Sequence, residues 1–186
     1  MLHAIGSLLD DATTDKVRGL WDRIEREFGF PGRYVRPWVH VSYHVAGDYD
    51  QQQLEPVLAA VAQRIRPFEL VTTGLGLFGG KVPMLFIPAV RTPGLQAAHE
   101  AVWSAIGPGA PYAGVVTKNP SELYTADRWM PHISLAMGEA DAAQTGRIVE
   151  SLVAEPFLWR VPIDNLVLIY NPGPGHEVRM RFPLGG

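Results

Sequence analysis

The 186-residue chain has no cysteine. No disulfide can staple it, which fits a reducing compartment and points to a cytoplasmic protein. It also lacks a basic excess: 16 Lys and Arg stand against 19 Asp and Glu, for a formal net charge of −3. That excludes a general electrostatic grip on long nucleic acid, so any such role must rest on a local pocket for a chain end or a small nucleotide. No apolar run approaches the ~20 residues of a membrane span, and no membrane partner is expected. The run from Met1 to Leu9 has no basic lead and meets Asp10 and Asp11; it reads as a strand, not a signal peptide. Hydrophobic residues make up 47% of the chain, enough for a sizeable core at a length that suits one domain or two small fused lobes.

What the chain does have is one short pattern used twice. Trp38-Val39-His40-Val41-Ser42-Tyr43-His44 and Met130-Pro131-His132-Ile133-Ser134-Leu135-Ala136 each carry a His-apolar-Ser triplet inside an apolar run, 92 residues apart. On a strand, alternate side chains share a face, so His40 points with Ser42 and His132 with Ser134. Two imidazoles, each with a hydroxyl on its own face, are suited to acid/base chemistry on a phosphate.

Residue spacing and turn residues mark the elements around the triplets. Residues 2–9 form a strand, and Thr13 or Thr14 caps a helix carrying Val17, Leu20, Trp21, Ile24 and Phe28 that Gly29 stops. A linker with Arg33 and Arg36 leads to the first triplet. Gly47-Asp48-Tyr49-Asp50 makes a turn and cap for a second helix through Leu54, Val57, Leu58, Val61 and Ile65, in which Pro56 is acceptable only in the first turn. Phe68 to Phe78 and Val82 to Val90 pair as a hairpin across Gly79-Gly80. Thr92-Pro93 opens a third helix with Leu95, Ala98, Val102 and Ile106 inward. The segment 107–128 reads as a long loop of functional rather than idle character. After the second triplet comes a fourth helix, 141–154, with Ile148, Leu152 and Val153 inward. Phe157 to Tyr170 and His176 to Leu184 close the chain as a hairpin across residues 171–175.

Laid side by side, the halves repeat: strand, helix, His-x-Ser strand, helix, then a strand opening with Pro-Phe (Pro67-Phe68, Pro156-Phe157). The expected result is an α+β fold and a single bilobal domain over 1–186, with approximate repeat halves 1–80 and 81–186. A pseudo-twofold axis would then turn the two triplets toward each other across a central groove.

On these residues the chain resembles the 2H phosphoesterases, in the LigT-like branch of 2′-5′ RNA ligases and 2′,3′-cyclic phosphodiesterases. That family carries two His-x-Thr/Ser motifs, here His40-Val41-Ser42 and His132-Ile133-Ser134. Val35-Arg36-Pro37 before the first motif, Pro131 before the second, the Gly76 to Ile87 segment and the closing Glu177 to Leu184 fit as well. Plant-type members place a Tyr three residues after the second hydroxyl, where this chain has Met137, so stacking of a base would fall to Trp129, Tyr124 or Phe78. The resemblance implies two pseudo-symmetric lobes of antiparallel strands with helices outside. It implies metal-free, cofactor-free chemistry on an RNA 3′ end, in RNA processing, or on a small cyclic nucleotide.

In such a reaction His40 and His132 serve as general acid and base, because an imidazole titrates near neutral pH. Ser42 and Ser134 donate to the non-bridging oxygens of the phosphate. Arg36, Lys118 and Arg128 are candidate phosphate holders, and Arg179 and Arg181 share a strand face that would line the groove. His44 continues the Ser42 face as a candidate ligand contact, whereas His3, His99 and His176 read as surface or structural residues. A metal is the rival reading. His40 and His44 on one strand face stand ~13 Å apart, too far to share an ion bound at ~2.0–2.1 Å. Hydrolysis and ligation remain open alternatives, as does a binding module without turnover.

Overall fold

The fold is described from a computed structural model. It covers residues 2–32, 35–81, 83–138, 140–173 and 175–185, with the side chains of 172, 173 and 175 left aside. Arg33 of the linker, Val82 at the start of the expected return strand and Pro174 of the expected final turn lie outside the described residues.

Strand β1, His3–Leu8, leads into helix α1, Asp11–Phe28. The helix is capped by Asp10, whose carboxylate accepts from the Thr13 amide, not by Thr13 or Thr14 as expected. Thr13 is buried, which leaves the half-buried Asp10 side chain to serve the helix end. Gly29 closes α1 in the left-handed conformation, φ 77°, that glycine adopts without strain. Strand β2, His40–Tyr49, is longer than expected because Gly47, Asp48 and Tyr49 stay in the sheet, paired with a later strand; only Asp50 acts as the cap of helix α2, Gln51–Ala62. Pro56 sits in the second turn of α2, past the first turn that the sequence reading allowed. It is exposed, on the solvent side of the helix. Ile65 is buried beyond the helix end, not within it.

The single strand expected over Phe68–Phe78 is two: β3, Phe68–Val71, and β4, Gly76–Phe78. Only β4 forms the expected hairpin, with β5, Met84–Pro88. Helix α3, Pro93–Ile106, begins at the Thr92 cap with Pro in its first turn as read. The segment read as one long loop holds strand β6, Val116–Pro120, which pairs with the end of β2. Its exposed, polar sequence gives no alternating pattern to read. Strand β7, His132–Met137, carries the second triplet, and helix α4, Ala142–Leu152, begins with a capping box between Asp141 and Gln144. Val153 ends up 70% exposed, because α4 stops one residue before it and the chain turns away. The strand expected over Phe157–Tyr170 is broken at Asp164 into β8, Arg160–Ile163, and β9, Asn165–Gly173; β10, Gly175–Pro183, completes the final hairpin with β9. Phe157 therefore precedes its strand and packs into the core instead of opening it.

These strands make a five-stranded sheet in the order β10-β9-β1-β2-β6, a three-stranded sheet β4-β5-β7 and a pair β3-β8. The repeat is explicit in the pairing. Antiparallel β1 and β2 match antiparallel β5 and β7, and the closing strands of the two repeats, β3 and β8, pair with each other. The halves also interlock: α1 packs beside β7 and α4, and α3 packs beside β2, β3 and α2. One continuous apolar cluster, including Ile5, Trp21, Leu58, Leu95, Ile133 and Leu168, runs through both halves. No helix among the described residues is long and apolar enough to cross a membrane.

Candidate functional site

The two triplets occupy equivalent places to the residue. His40 and Ser42 pair with Leu8 and Gly6 of β1; His132 and Ser134 pair with Pro88 and Phe86 of β5. Just beyond each serine the register shifts by one residue, leaving Tyr43 on β2 and Leu135 on β7 as bulged positions. The bulge moves the groove face from the second residue after the serine to the third. Val45 and Met137 line the cavity, and the side chain of His44 is turned into the core. On the β2 side this conformation needs Gly6, since a Cβ there would stand 2.0 Å from the Val41 carbonyl oxygen.

His40, Ser42, His132 and Ser134 all line one cavity of about 450 Å³. The His40 Nδ1 lies 2.8 Å from the Trp38 carbonyl oxygen, and the His132 Nδ1 lies 2.6 Å from that of Met130. A carbonyl only accepts, so Nδ1 carries the proton in each ring and Nε2 is left to act as base, or as acid once protonated. The strand edges carrying the serines are tied down alike: the Trp129 indole donates to the Ser42 carbonyl at 2.9 Å and the Trp21 indole to the Ser134 carbonyl at 3.2 Å. Burial pushes His40 down to about 4, reinforced by the charges of His176 and then His132 and opposed by its bond to the Trp38 carbonyl. His132 is lowered as well, again chiefly by burial. Both rings thus favour the neutral, proton-accepting form, and a bound phosphate anion favours protonating one of them.

Phe78, Tyr124 and Arg128 line the same cavity. Phe78 stacks on Phe86 at 4.3 Å and meets His132 edge-on at 5.5 Å. The Tyr124 hydroxyl is raised by burial and partly offset by its bond to the Ser42 side chain. Arg128 pairs with Glu122 at 3.2 Å.

Six other candidates expected at the groove lie outside this cavity. His44 is fully buried, with Nδ1 2.7 Å from the Tyr49 hydroxyl and its ring 4.7 Å from that of Trp103; the bulge at Tyr43 removes it from the groove. Trp129 is buried, stacked on His99 at 3.9 Å, and spends its N–H on Ser42, so it has no face for a base. Arg36 lies against Asp22 at 2.9 Å and Glu25 at 3.4 Å, outside the cavity. Lys118, exposed on β6, is 3.6 Å from Asp48. Of the two strand arginines, Arg179 pairs with Glu177 at 2.7 Å and Arg181 lines a separate cavity with Asp10 and Asp15.

His176, read from sequence as a surface or structural residue, lines the cavity beside the two triplets. It lies outside any motif, and only its position at the start of β10, next to the segment before β2, brings it there. Met84 and Met130 were likewise not marked, because an isolated methionine carries no spacing signal. Among the described residues, no three His, Cys, Asp or Glu side chains gather as a metal site.

The fold is shared with solved structures. The crystal structure of TT0787 of Thermus thermophilus superposes with a TM-score of 0.68 at 20% identity, covering 100% of this chain and 99% of that one. LigT of E. coli in its apo form gives 0.56 at 18% identity, covering 99% and 97%. The fold is therefore that of the LigT-like 2H phosphoesterases. Two provisionally named phosphoesterases of Bacillus cereus are 25% identical over 178 residues, 92% of this chain and 90% of theirs. A sequence model of the 2′-5′ RNA ligase superfamily matches residues 13–174, and the chain belongs to that superfamily.

Proposed function

We propose that the protein is a phosphoesterase that opens a 2′,3′-cyclic phosphate to a monoester, with His40 and His132 as the acid/base pair. The observation that carries this reading is the duplicated geometry. Two imidazoles, held alike through Nδ1 and each beside a serine at the same register, line a single cavity. In the reaction water attacks phosphorus and gives its proton to Nε2 of one imidazole. The bond to a ribose oxygen breaks, and the second imidazole returns a proton to that oxygen. Each such transfer is worth ~10²–10⁴-fold. The hydroxyls of Ser42 and Ser134 hold the non-bridging oxygens as charge grows on them.

The rest of the wall is mostly apolar, with Met84, Met130, Met137, Val45, Leu123 and Phe78 prominent. Its arginine, Arg128, is already paired. Such a lining favours a compact substrate with one phosphate and a stackable base over a long polyanion, which makes a mononucleoside cyclic phosphate the favoured member of the class. Incubation with 2′,3′-cyclic nucleotides in EDTA tests this directly. The expected product is a nucleoside monophosphate; no turnover, or turnover only on adding metal, overturns it. Joining of RNA halves bearing a cyclic phosphate and a 5′-hydroxyl, with no hydrolysis, would assign the reverse chemistry instead.

A further inference from the structure

We propose that His176 is a third imidazole of this site, presenting Nε2 to the phosphate of the bound substrate. The proposal rests on the phosphoester reading above and extends it to a residue outside both motifs. His176 lines the same cavity as His40 and His132 and is held in the same manner: its Nδ1 lies 2.8 Å from the Arg36 carbonyl oxygen. Its proton therefore sits on Nδ1, and Nε2 is the ring's free nitrogen. The Trp38 indole donates to the His176 carbonyl at 2.9 Å, so the residue is fixed to the segment before β2 by backbone and side chain alike. That segment also supplies the Trp38 carbonyl that orients His40, which couples the two rings mechanically.

Charge supports the same role. The three cations read as phosphate holders each face carboxylates: Arg36 faces Asp22 and Glu25, Lys118 faces Asp48, and Arg128 faces Glu122. His132 leans on the rings of Phe78 and Phe86, whereas the place equivalent to Phe86 beside His40 is Gly6. A protonated His176 would supply a donor to the phosphate that leaves both His40 and His132 free for proton transfer.

Titrating the ¹⁵N-histidine-labelled protein with inorganic phosphate tests this without requiring turnover. Nε2 of all three histidines is expected to shift. If His40 and His132 respond and His176 does not, the proposal is wrong and the reading of the cavity survives; if none responds, both fall. His176→Asn keeps an N–H where Nδ1 was, able to reach the Arg36 carbonyl, but removes Nε2. It is expected to melt as the parent does while weakening phosphate and raising KM roughly ten- to a hundredfold with kcat little changed. His176→Gln, which restores a donor near Nε2, is expected to recover part of that loss. Binding and KM within twofold of the parent in His176→Asn would overturn the assignment.

Discussion

The two half-sites are alike on the groove and unlike behind it. Facing the cavity, His40 matches His132, Ser42 matches Ser134, and Val45 matches Met137. Behind it, the positions equivalent to Tyr43 and His44 are Leu135 and Ala136. Behind the first half-site lies a buried polar cluster drawn from both halves of the chain. Ser7 donates to the Asn165 carbonyl at 2.5 Å, so the Tyr43 hydroxyl, 2.7 Å away, must donate to Ser7. His44 meets Tyr49, and His99 meets the Tyr124 carbonyl at 2.8 Å. The second half packs Leu135, Ala136 and Ile87 in the corresponding layer. Backing can be polar or apolar so long as it holds a bulged strand. What both halves keep is a histidine oriented by the carbonyl two residues before it, and a serine carbonyl tied to an indole.

The comparison predicts equal effects in front and unequal effects behind. Replacing His40 or His132 by Ala should each reduce kcat on a 2′,3′-cyclic nucleotide ~10²–10⁴-fold. The double variant should fall little below the worse single one, because the two rings act as a unit. An activity left intact by one of the two replacements would break the equivalence. Next in size, Gly6→Ala should cost about 1–3 kcal/mol in denaturant unfolding, since its Cβ has no room against the Val41 carbonyl. Tyr43→Phe, which strips the donor from a buried Ser7, should cost about 1 kcal/mol, with Leu135→Phe sharpening the contrast through overpacking alone.

Smallest and most graded is the acid response. His40 and His44 are both pushed down to about 4 by burial, from an ordinary value of 6.5. Between those values the unfolded chain binds protons that the folded one refuses. Their contribution to stability is therefore complete above about pH 6.5 and is lost as pH falls toward about 4. Melting temperatures measured from pH 7 to 4 should decline. The decline should be shallower in His44→Ala, which copies the second half's Ala136, once its pH 7 stability is taken as the reference.

Much of this was legible in the chain. Period-two and helical spacing located β1, α1, α3, β7 and the closing hairpin, and the paired triplets located the groove. The bulges were not legible, because an extra residue in a strand leaves no mark in an apolar run. That one feature sends His44 inward and Met137 outward. Trp129 shows the second limit: its place before the motif suggested a stacking face, while its N–H is committed to Ser42. The arginines show the third, since sequence reveals a guanidinium but not the carboxylates of α1 that meet Arg36. His176 is the converse, a residue with no motif that tertiary pairing carries into the cavity.

The central claim is that one phosphorus atom lies between the two half-sites. A crystal structure of the protein with a 2′-nucleoside monophosphate tests it most directly. Nε2 of both His40 and His132 should lie within ~2.7–3.2 Å of phosphate oxygens, with Ser42 and Ser134 on the remaining ones. A phosphate bound to only one histidine, or outside this cavity, would contradict the account.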